Sequence, residues 1–505
     1  MVTSTNPGRC VAPDFTALPL HTLADAALSR AQELGASHAD VRIERIREGV
    51  LSLRDVAVES QTDSTDLGIS VRVVHRGAWG FAAGVSLTTD AAARLAEQAV
   101  ATAEVAARLP GPEVTLADEP RHAGATWVSP HEVNPFEVDD HERQGRWIDL
   151  SERLLAADGV THTQARVHYV DECKFYADSH GTDTTQQRVR IHPELTAIAV
   201  GEGFSTMRTL APPTGRGWEY CTGTGWDFDA EVAELPELLA EHVKAPSVEA
   251  GTLDLVIDPS NLWLTIHESI GHATELDRAL GYEAAYAGTS FATVDQLGTL
   301  AYGSPVMNVT GDRTVDHGLA TVAFDDEGVS GQEFDLISNG TLVGYQLNRQ
   351  MAAARGLDRS NGCAFADSSG HIPMQRMPNV SLLAEPSGPS TDELISSVED
   401  GLYVVGDKSW SIDMQRYNFQ FTGQRFHRIV GGRIVGQVRD VAYQATTTDF
   451  WGSMEAVGGP DTWVLGGAFN CGKGQPGQVA PVSHGCPSAV FRGVNVLNTL
   501  AEGEN

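Results

Sequence analysis

The sequence predicts an α+β protein. It divides into an N-terminal α/β domain at residues 15–225 and a C-terminal domain at residues 226–505 that is β-rich, mostly antiparallel, and carries one metal-binding helix. Helix and strand patterns alternate before residue 110, whereas short strand patterns separated by turn residues dominate after Gly281. A length of 505 residues is enough for two domains.

In the N-terminal part, the apolar spacing and the turn residues define a helix and a hairpin. Gly35 is placed to stop the first helix, and the run His75-Arg76-Gly77 supplies a hairpin turn. Thr89 and Asp90 are expected to cap an alanine-rich helix. The predicted elements are a helix at 21–34, strands at 39–44, 50–53, 67–73 and 79–83, and a helix at 89–109.

The middle of the chain gives weaker signals. Residues 111–143 are rich in Pro, Glu and Asp and lack periodicity, so a surface loop is expected there. Strands are expected at 165–170 and 187–192, the second ending before Pro193 because proline cannot donate to a ladder. A loop at 211–218 and a helix at 231–243 follow.

The C-terminal part opens with a strand at 252–257 that leads into Asp258 and Pro259. Asp at the N-cap and Pro at the first helical position mark a helix start, and this helix is expected to run to about Gly281. The later predictions are strands at 321–324, 342–346, 402–405, 426–430 and 433–438, turns at 339–340 and 431–432, and a short helix at 393–398.

Composition limits the partners and the compartment. The net charge of −32 repels phosphate backbones and anionic lipid, so neither nucleic acid nor a membrane is an expected partner. No apolar run reaches the length of a membrane span, and residues 1–14 lack the basic and apolar regions of a secretory signal. The six cysteines are too scattered for a disulfide framework, which favours a reducing, cytoplasmic location.

The run His267-Glu268-Ser269-Ile270-Gly271-His272 is the strongest chemical signal. Each residue of a regular helix turns about 100°, so two histidines five positions apart point roughly 140° away from each other. One π-type bulge would absorb the extra residue and bring both rings to one side. Gly271 makes such a deformation sterically easy. The structural alternative is a partly exposed helix with ordinary His and Glu side chains.

A catalytic zinc site generally needs three protein ligands, so two histidines are not enough. Cys471 is the best third candidate, because glycines flank it on both sides and a thiolate binds zinc strongly. The residues alone leave four other candidates open: Cys486, His484, His371 and Cys363. Glu268 is predicted to be the general base rather than a ligand.

Other motifs favour simpler interpretations. Ser483-His484-Gly485-Cys486 contains a Cys/His pair, but residues two apart in a strand give no defined geometry for a base. Residues 325–328 are acidic but lack the ligand spacing of an EF-hand, so a solvated turn is expected. Residues 472–477 lack the spacing of a P-loop.

Several segments, taken together and in order, resemble the TldD/PmbA family of modulator-of-gyrase metallopeptidases, on its TldD side. The resemblance covers nearly the whole chain, from about residue 20 to residue 500. The segments that carry it are 68–73 with 80–82, 267–272, 324–329, 374–379, and 471–475 with 479–482.

The resemblance implies a zinc-dependent peptidase with Zn²⁺ ligands at His267, His272 and Cys471 and with Glu268 as general base. It also implies action on unfolded or small peptides inside the cell. Family members are dimers, either of like chains or with a related TldE-like subunit that lacks the zinc motif, and they enclose the site in a cavity. An extended peptide could then pair with a sheet edge near the metal.

The sequence departs from the family pattern in two bulky segments, 408–413 and 446–451. If Trp410, Met414 and Tyr417 face the cavity, the substrate is narrower than general peptides. One alternative is therefore a dedicated tailoring amide hydrolase in peptide natural-product maturation, and another is a non-catalytic assembly subunit. His371 and Arg376 are candidates for stabilising the oxyanion, on polar character alone.

Overall fold

The structure is a computed structural model that describes residues 9–200 and 204–502. Residues 1–8, part of the segment expected to lack a signal, lie outside the described residues.

The strands of the N-terminal half are β1 (His38–Arg54), β2 (Ala57–His75), β3 (Ala78–Gly84), β4 (Ala125–Val128), β5 (His162–Asp178), β6 (Asp183–Val200) and β7 (Phe204–Arg208). They form one sheet in the order β3-β2-β1-β5-β6-β4, with β7 also paired to β6. Among the described strands of this half, β4 alone pairs in parallel.

The helices of this half are α1 (Pro13–Thr16), α2 (Leu20–Glu33), α3 (Thr89–Ala106), α4 (Asp140–Leu155) and α5 (Phe228–Lys244). Helices α2 and α3 share one apolar cluster with the sheet, and α4 and α5 share another. The predicted boundary at residues 225/226 assigns α5 to the C-terminal domain, yet α5 packs with N-terminal strands. The boundary itself stays a prediction.

Most N-terminal elements lie where the sequence predicts them. Gly35 follows α2 with a φ of 82°, and Arg76 and Gly77 turn the β2–β3 hairpin with φ values of 52° and 73°. The cap of α3 is Thr88, not Thr89, since its side chain accepts from Ala91 N–H. The loop predicted at 111–143 is partly wrong, because it includes β4 and the start of α4.

Several predicted strands are shorter than the observed ones. The segments 39–44 and 50–53 are parts of the single strand β1, which lies between β2 and β5 along its length. Strand β6 does not end before Pro193, which pairs with Val167 of β5. Ile191 and Leu195 direct their backbone groups away from β5, and by alternation so does Pro193. Its missing N–H therefore faces the edge between β4 and β7, where no ladder bond is lost.

The described residues of the C-terminal half form fifteen further strands, from β8 (Gly251–Ile257) to β22. The others are β9 (Val309–Asp312), β10 (Glu333–Ser338), β11 (Thr341–Leu342), β12 (Ala364–Phe365), β13 (Met374–Gln375), β14 (Asn379–Leu382), β15 (Asp400–Ile412), β16 (Asn418–Val430), β17 (Arg433–Val438), β18 (Val441–Thr446), β19 (Met454–Val457), β20 (Val464–Lys473), β21 (Gln478–Cys486) and β22 (Ala489–Asn498).

Five of these strands close into a ring. The order β15-β8-β22-β18-β16 returns to its start because β15 also pairs with β16. Within this half the β8–β15 pair is parallel and the other ladders between named strands are antiparallel, which confirms the predicted α+β class and mostly antiparallel domain. Strands β20 and β21 form a separate pair.

The C-terminal helices are short: α6 (Pro259–Ile266), α7 (Leu276–Ala279), α8 (Arg349–Ala354), α9 (Thr391–Ser396), α10 (Thr447–Gly452) and α11 (Thr499–Glu502). The sequence predicts α9 but misses α8, α10 and α11, whose few residues give too little periodicity. The predicted helix to Gly281 is interrupted after residue 271, and residues 321–324 form only an isolated bridge at Phe324 instead of a strand. No helix of the described residues is long and apolar enough to cross a bilayer.

The N-terminal sheet has one apolar face and one charged face, and both are covered. Odd-numbered residues of β1 and β5 pack against the helices, whereas even-numbered residues such as Arg42 and Lys174 meet the C-terminal half. Asp326 lies 3.1 Å from Arg42 and 2.9 Å from Lys174. The acidic turn at residues 325–328 is therefore buried in an ion network, and the expectation of a solvated turn is wrong.

Candidate metal centre

The histidine motif lies in a π-helical turn that continues α6. Asp258 caps α6 by accepting from Ser260 N–H at 2.9 Å, as the sequence predicts. The π turn spans His267–Gly271, and His272 N–H donates to the carbonyl of His267 at 3.0 Å, five residues back. The two imidazole centroids lie 4.7 Å apart. The predicted π bulge is confirmed, and it brings both rings to one side.

Tertiary contacts satisfy the carbonyls of this irregular turn. Tyr302 donates its hydroxyl to the carbonyl of Ser269, and Gln346 Nε2 donates to that of Gly271 at 2.6 Å. A Cβ on Gly271 would stand 2.6 Å from the sulfur of Met377. Glycine at position 271 therefore allows Met377 to pack closely against the backbone and also makes the π turn sterically easy. The contacts of Tyr302, Gln346 and Met377 hold this turn in place.

One potential metal-binding group is found among the described residues: His267, His272 and Cys471. Their candidate ligand atoms lie within 4.8 Å of one another, and all three residues are buried. Cys471 reaches the helix from β20, with its Sγ 3.7 Å from His272 Nε2. The set of ligands stays a prediction, but the fold brings together the three residues that the resemblance selects.

The other candidates for a third ligand make different contacts. Cys486 Sγ lies 3.7 Å from the carbonyl of Pro259, and burial raises the pKa of its thiol well above the usual value. Cys363 contacts the Asn361 carbonyl at 3.9 Å, and His371 Nδ1 lies 2.6 Å from Asp367. His484 lies beside the group rather than within it, 2.7 Å from His267.

Hydrogen bonds to the Nδ1 atoms orient both histidines. His484 Nδ1 lies 2.8 Å from the carbonyl of Val380, which can only accept, so His484 carries its proton on Nδ1. His484 Nε2 then accepts from His267 Nδ1–H. His272 Nδ1 in turn lies 3.0 Å from Glu275 Oε2. Both candidate ligand histidines therefore keep a free lone pair on Nε2.

Charges around Cys471 favour its thiolate form. Burial alone would raise the pKa of this thiol, but the nearby His272 and Arg376 bring it below the ordinary value. Arg376 is itself buried and donates to the carbonyls of Cys471 and Gln478. Neither Arg376 nor His371 lines the cavity at the site, so neither supports the oxyanion role considered from the sequence.

Glu268 faces the same cavity and is joined by a residue that the sequence analysis missed. The guanidinium of Arg416 forms an ion pair with its carboxylate. Burial raises the pKa of Glu268, but His267, His272 and Arg416 more than offset it, so the pKa lies below the usual value. No sequence signal pointed to Arg416, because it reaches Glu268 from the far end of the β15–β16 hairpin.

The cavity at this site has a volume of about 590 Å³ and lies between the two halves of the chain. Strands β5 and β6 contribute Arg166, His168, His192 and Glu194, and apolar walls come from Trp263 and Phe469. Trp410 also lines the cavity, as considered from the sequence, but Met414 and Tyr417 do not. The second bulky segment, 446–451, is largely helix α10.

The donors suit a zinc ion. Two neutral imidazole nitrogens and one thiolate are ligands that zinc takes in catalytic sites, and three protein ligands leave a fourth position open. The orientation of the two imidazoles is already fixed by His484 and Glu275.

Comparison with known proteins identifies the family of this chain. A sequence model described as the PmbA/TldA metallopeptidase C-terminal domain matches residues 250–498, and a second, metallopeptidase domain 1 of the same family, matches residues 39–103. Together they cover more than half of the chain. The chain belongs to the TldD/PmbA family.

Relatives of this TldD/PmbA family member are named as metalloproteases. A metalloprotease of Methanothermobacter thermautotrophicus is 28% identical over 470 residues, covering 92% of this chain and 96% of that one. A zinc metalloprotease TldD homolog of Saccharolobus solfataricus is 23% identical over 467 residues, covering 91% and 96%.

Solved structures share the fold at low identity. A Thermotoga maritima protein described as a modulator of a DNA gyrase superposes with a TM-score of 0.74 at 15% identity, covering 94% of this chain and 99% of that one. TldE from Thermococcus kodakarensis superposes with a TM-score of 0.69 at 14% identity, covering 93% and 98%.

Proposed function

We propose that this TldD/PmbA family member is a zinc-dependent peptidase that hydrolyses unfolded or small peptides, with Glu268 as general base. One observation carries the proposal: the candidate ligand atoms of His267, His272 and Cys471 lie within 4.8 Å of one another. Glu268 faces the same cavity.

The residues have complementary tasks in such a reaction. A zinc ion held by His267, His272 and Cys471 would supply Lewis acidity that polarises a carbonyl and lowers the pKa of water. Glu268 accepts a proton from the attacking water as the water oxygen bonds to the amide carbon. It then gives that proton to the nitrogen as the C–N bond breaks, so that the products are an acid and an amine.

The cavity supports a peptide substrate without folded structure. A volume of about 590 Å³ accommodates only a few residues, and Trp263 and Phe469 provide apolar contact. Strand β20, which carries Cys471, pairs only with β21 among the described strands. Its other edge could therefore hold an extended peptide through backbone hydrogen bonds, which would make recognition largely independent of sequence.

The proposed working form is a dimer in the cytoplasm. Either a second copy or a related TldE-like subunit would complete the enclosure of the cavity. The fold similarity to TldE supports a partner of this kind, and the free cysteines among the described residues suit a reducing compartment.

Trp410 favours a second candidate function. Its indole lines the cavity and is 51% exposed, so it can restrict which side chains fit. If the protein is a dedicated tailoring amide hydrolase, this restriction would limit it to very few substrates. Incubation with a mixed library of unfolded peptides separates the two functions, because a dedicated enzyme leaves nearly all of the library intact. The third alternative, a non-catalytic subunit, predicts no stoichiometric zinc.

Glu268→Gln tests the peptidase proposal directly. The variant should bind zinc with the wild-type stoichiometry but lose orders of magnitude in turnover, because an amide cannot carry the proton. Glu399→Gln, at an exposed position, is the matched control and should keep full activity. Unchanged turnover in Glu268→Gln would reject the role of this residue, and absence of zinc from the wild-type protein would reject the proposal as a whole.

A further inference from the structure

Arg416 is held rigidly at the end of the β15–β16 hairpin. The carboxylate of Asp413 accepts from the backbone N–H groups of Gln415 at 3.0 Å and Tyr417 at 2.8 Å. Arg416 itself has a φ of 65°, a left-handed conformation that is unfavourable for a residue with a side chain. Its carbonyl accepts from the Thr447 hydroxyl at 2.7 Å. These contacts fix a conformation that the chain would otherwise avoid.

The side chain of Arg416 is directed into the cavity and only partly bonded. It lines the cavity with Glu268, His267 and His272, and it is 15% exposed. Within the described residues, Nη1 contacts the carboxylate of Glu268, and Nε is buried without a hydrogen-bond partner. A guanidinium has five N–H donors, so most of its donor capacity remains available to a ligand.

The position of Arg416 places a cation beside the proposed reacting groups. Its guanidinium shares one cavity with Glu268 and with the proposed zinc ligands His267 and His272. The carbonyl oxygen of an amide that is attacked there by water develops negative charge, and fixed donors aimed at such an oxygen stabilise it. A guanidinium in this position can bind that oxygen.

The other arginines on the cavity wall are less suited to this task. Arg208 is paired with Asp407 at 2.6 Å and with Glu194 at 3.6 Å. Arg166 is exposed on β5 and shows no contact with Glu268. Of the three arginines lining the cavity, Arg416 alone contacts the proposed general base.

We propose that Arg416 is a catalytic residue that binds the carbonyl oxygen of the scissile amide. This inference depends on the proposed peptidase function. When the amide enters, the Nη hydrogen bonds shift from Glu268 to the carbonyl oxygen, whose negative charge grows as water adds to the carbon. Arg416 keeps its proton throughout. Glu268, released from the ion pair, takes the proton of the water and delivers it to the leaving nitrogen.

The kinetic test compares Arg416→Gln and Arg416→Lys with Gln415→Ala, an exposed neighbour on the same hairpin. Removing one preorganised donor to an oxyanion costs on the order of 10²–10³-fold in kcat. We expect that loss in Arg416→Gln, a KM within about 3-fold of wild type because ground-state binding is little affected, and unchanged zinc content. Arg416→Lys should recover part of kcat, and Gln415→Ala should match wild type.

A binding measurement separates this inference from the proposed function. A phosphinic peptide, whose charged oxygen resembles the tetrahedral state, should bind Arg416→Gln more weakly than wild type by a factor similar to the loss in kcat. The matching amide peptide should bind both proteins equally. If wild type shows no turnover, the peptidase proposal fails. If wild type is active, unchanged kcat and unchanged phosphinic affinity in Arg416→Gln overturn the role of Arg416. A loss confined to peptides with a free C-terminal carboxylate, absent with their amides, overturns it as well.

Discussion

His484 Nε2 lies 2.7 Å from Nδ1 of His267, although 217 positions separate the two residues in the sequence. The second nitrogen of His484 is held by the carbonyl of Val380 at 2.8 Å. This chain of two hydrogen bonds places the proton of His267 on Nδ1 and turns Nε2 toward Cys471 and His272. His484 is thus a positioning residue for a proposed metal ligand.

Replacing His484 should weaken zinc binding without unfolding the protein. His484→Leu removes the acceptor for His267 Nδ1–H, and loss of such a partner typically lowers metal affinity about 10–100-fold. His484→Gln can still accept through its amide oxygen and should lose less. Competition with a fluorescent chelator measures the affinity, with His371→Leu as a control outside the site. Equal affinity in His484→Leu and wild type would contradict the positioning role.

The two buried cysteines of the β20–β21 pair provide a matched test of the third ligand. Cys471→Ala should abolish stoichiometric zinc, because two imidazoles alone hold the ion weakly. Cys486→Ala should keep zinc, because its sulfur contacts the carbonyl of Pro259 instead. Metal analysis of both purified variants decides the point, and circular dichroism checks that each is folded. Zinc retained by Cys471→Ala and lost from Cys486→Ala would reverse the assignment.

The sequence predicts the parts of the site that depend on local geometry. Asp258 and Pro259 fix the start of α6, and the five-residue spacing of His267 and His272 requires the π turn that is found. Arg416 and the role of His484 depend on distant strands approaching α6. Nothing in the spacing of residues 400–430 or 478–486 reports that approach, so these partners could not be predicted.

In the fold, too, the features that depend on local geometry are predicted and those that depend on distant strands are not. Turns such as Asn339-Gly340 have φ values of 46° and 75° and are found where predicted, since a local conformation selects these residue types. The continuity of β1 is not predicted because Arg45, Arg47 and Glu48, between the two predicted segments, resemble a loop in the sequence. The strand continues through them because β2 and β5 pair with it on both sides, and no local pattern reports that pairing.

Lys473 should be among the most sensitive positions for stability. Its Nζ is buried 3.0 Å from Glu275, 2.9 Å from Asp277 and 3.4 Å from Glu283. Lys473→Met leaves Glu275 and Glu283 with Arg278 alone and removes the cation beside Asp277. Breaking such a buried network costs about 3–5 kcal/mol. Urea titration measures the free energy of unfolding. Lys408→Met, at an exposed position, should change it by less than about 0.5 kcal/mol. Similar stabilities of the two variants would show that the network contributes little.

Glu44 should make stability depend on pH. Burial raises its pKa from 4.5 to about 7, with Glu172 and Asp326 also raising it against Lys174 and Arg42. Between pH 4.5 and 7 the folded protein therefore keeps a proton that the unfolded chain has lost. The contribution of Glu44 to the free energy of unfolding is therefore complete below pH 4.5. It falls as the pH rises from 4.5 to 7 and stays constant above about pH 7.

Glu44→Gln imitates the protonated carboxyl at every pH and should remove this dependence. The difference in the free energy of unfolding, variant minus wild type, should increase by on the order of 2 to 3 kcal/mol as the pH rises from 4.5 to 7. Glu59→Gln, exposed on β2, is the matched control and should follow the wild-type curve. Urea titrations at several pH values give the difference directly. A difference that stays constant across the window would mean that Glu44 is ionised in the folded protein, stabilised by Lys174 and Arg42 more strongly than burial opposes it.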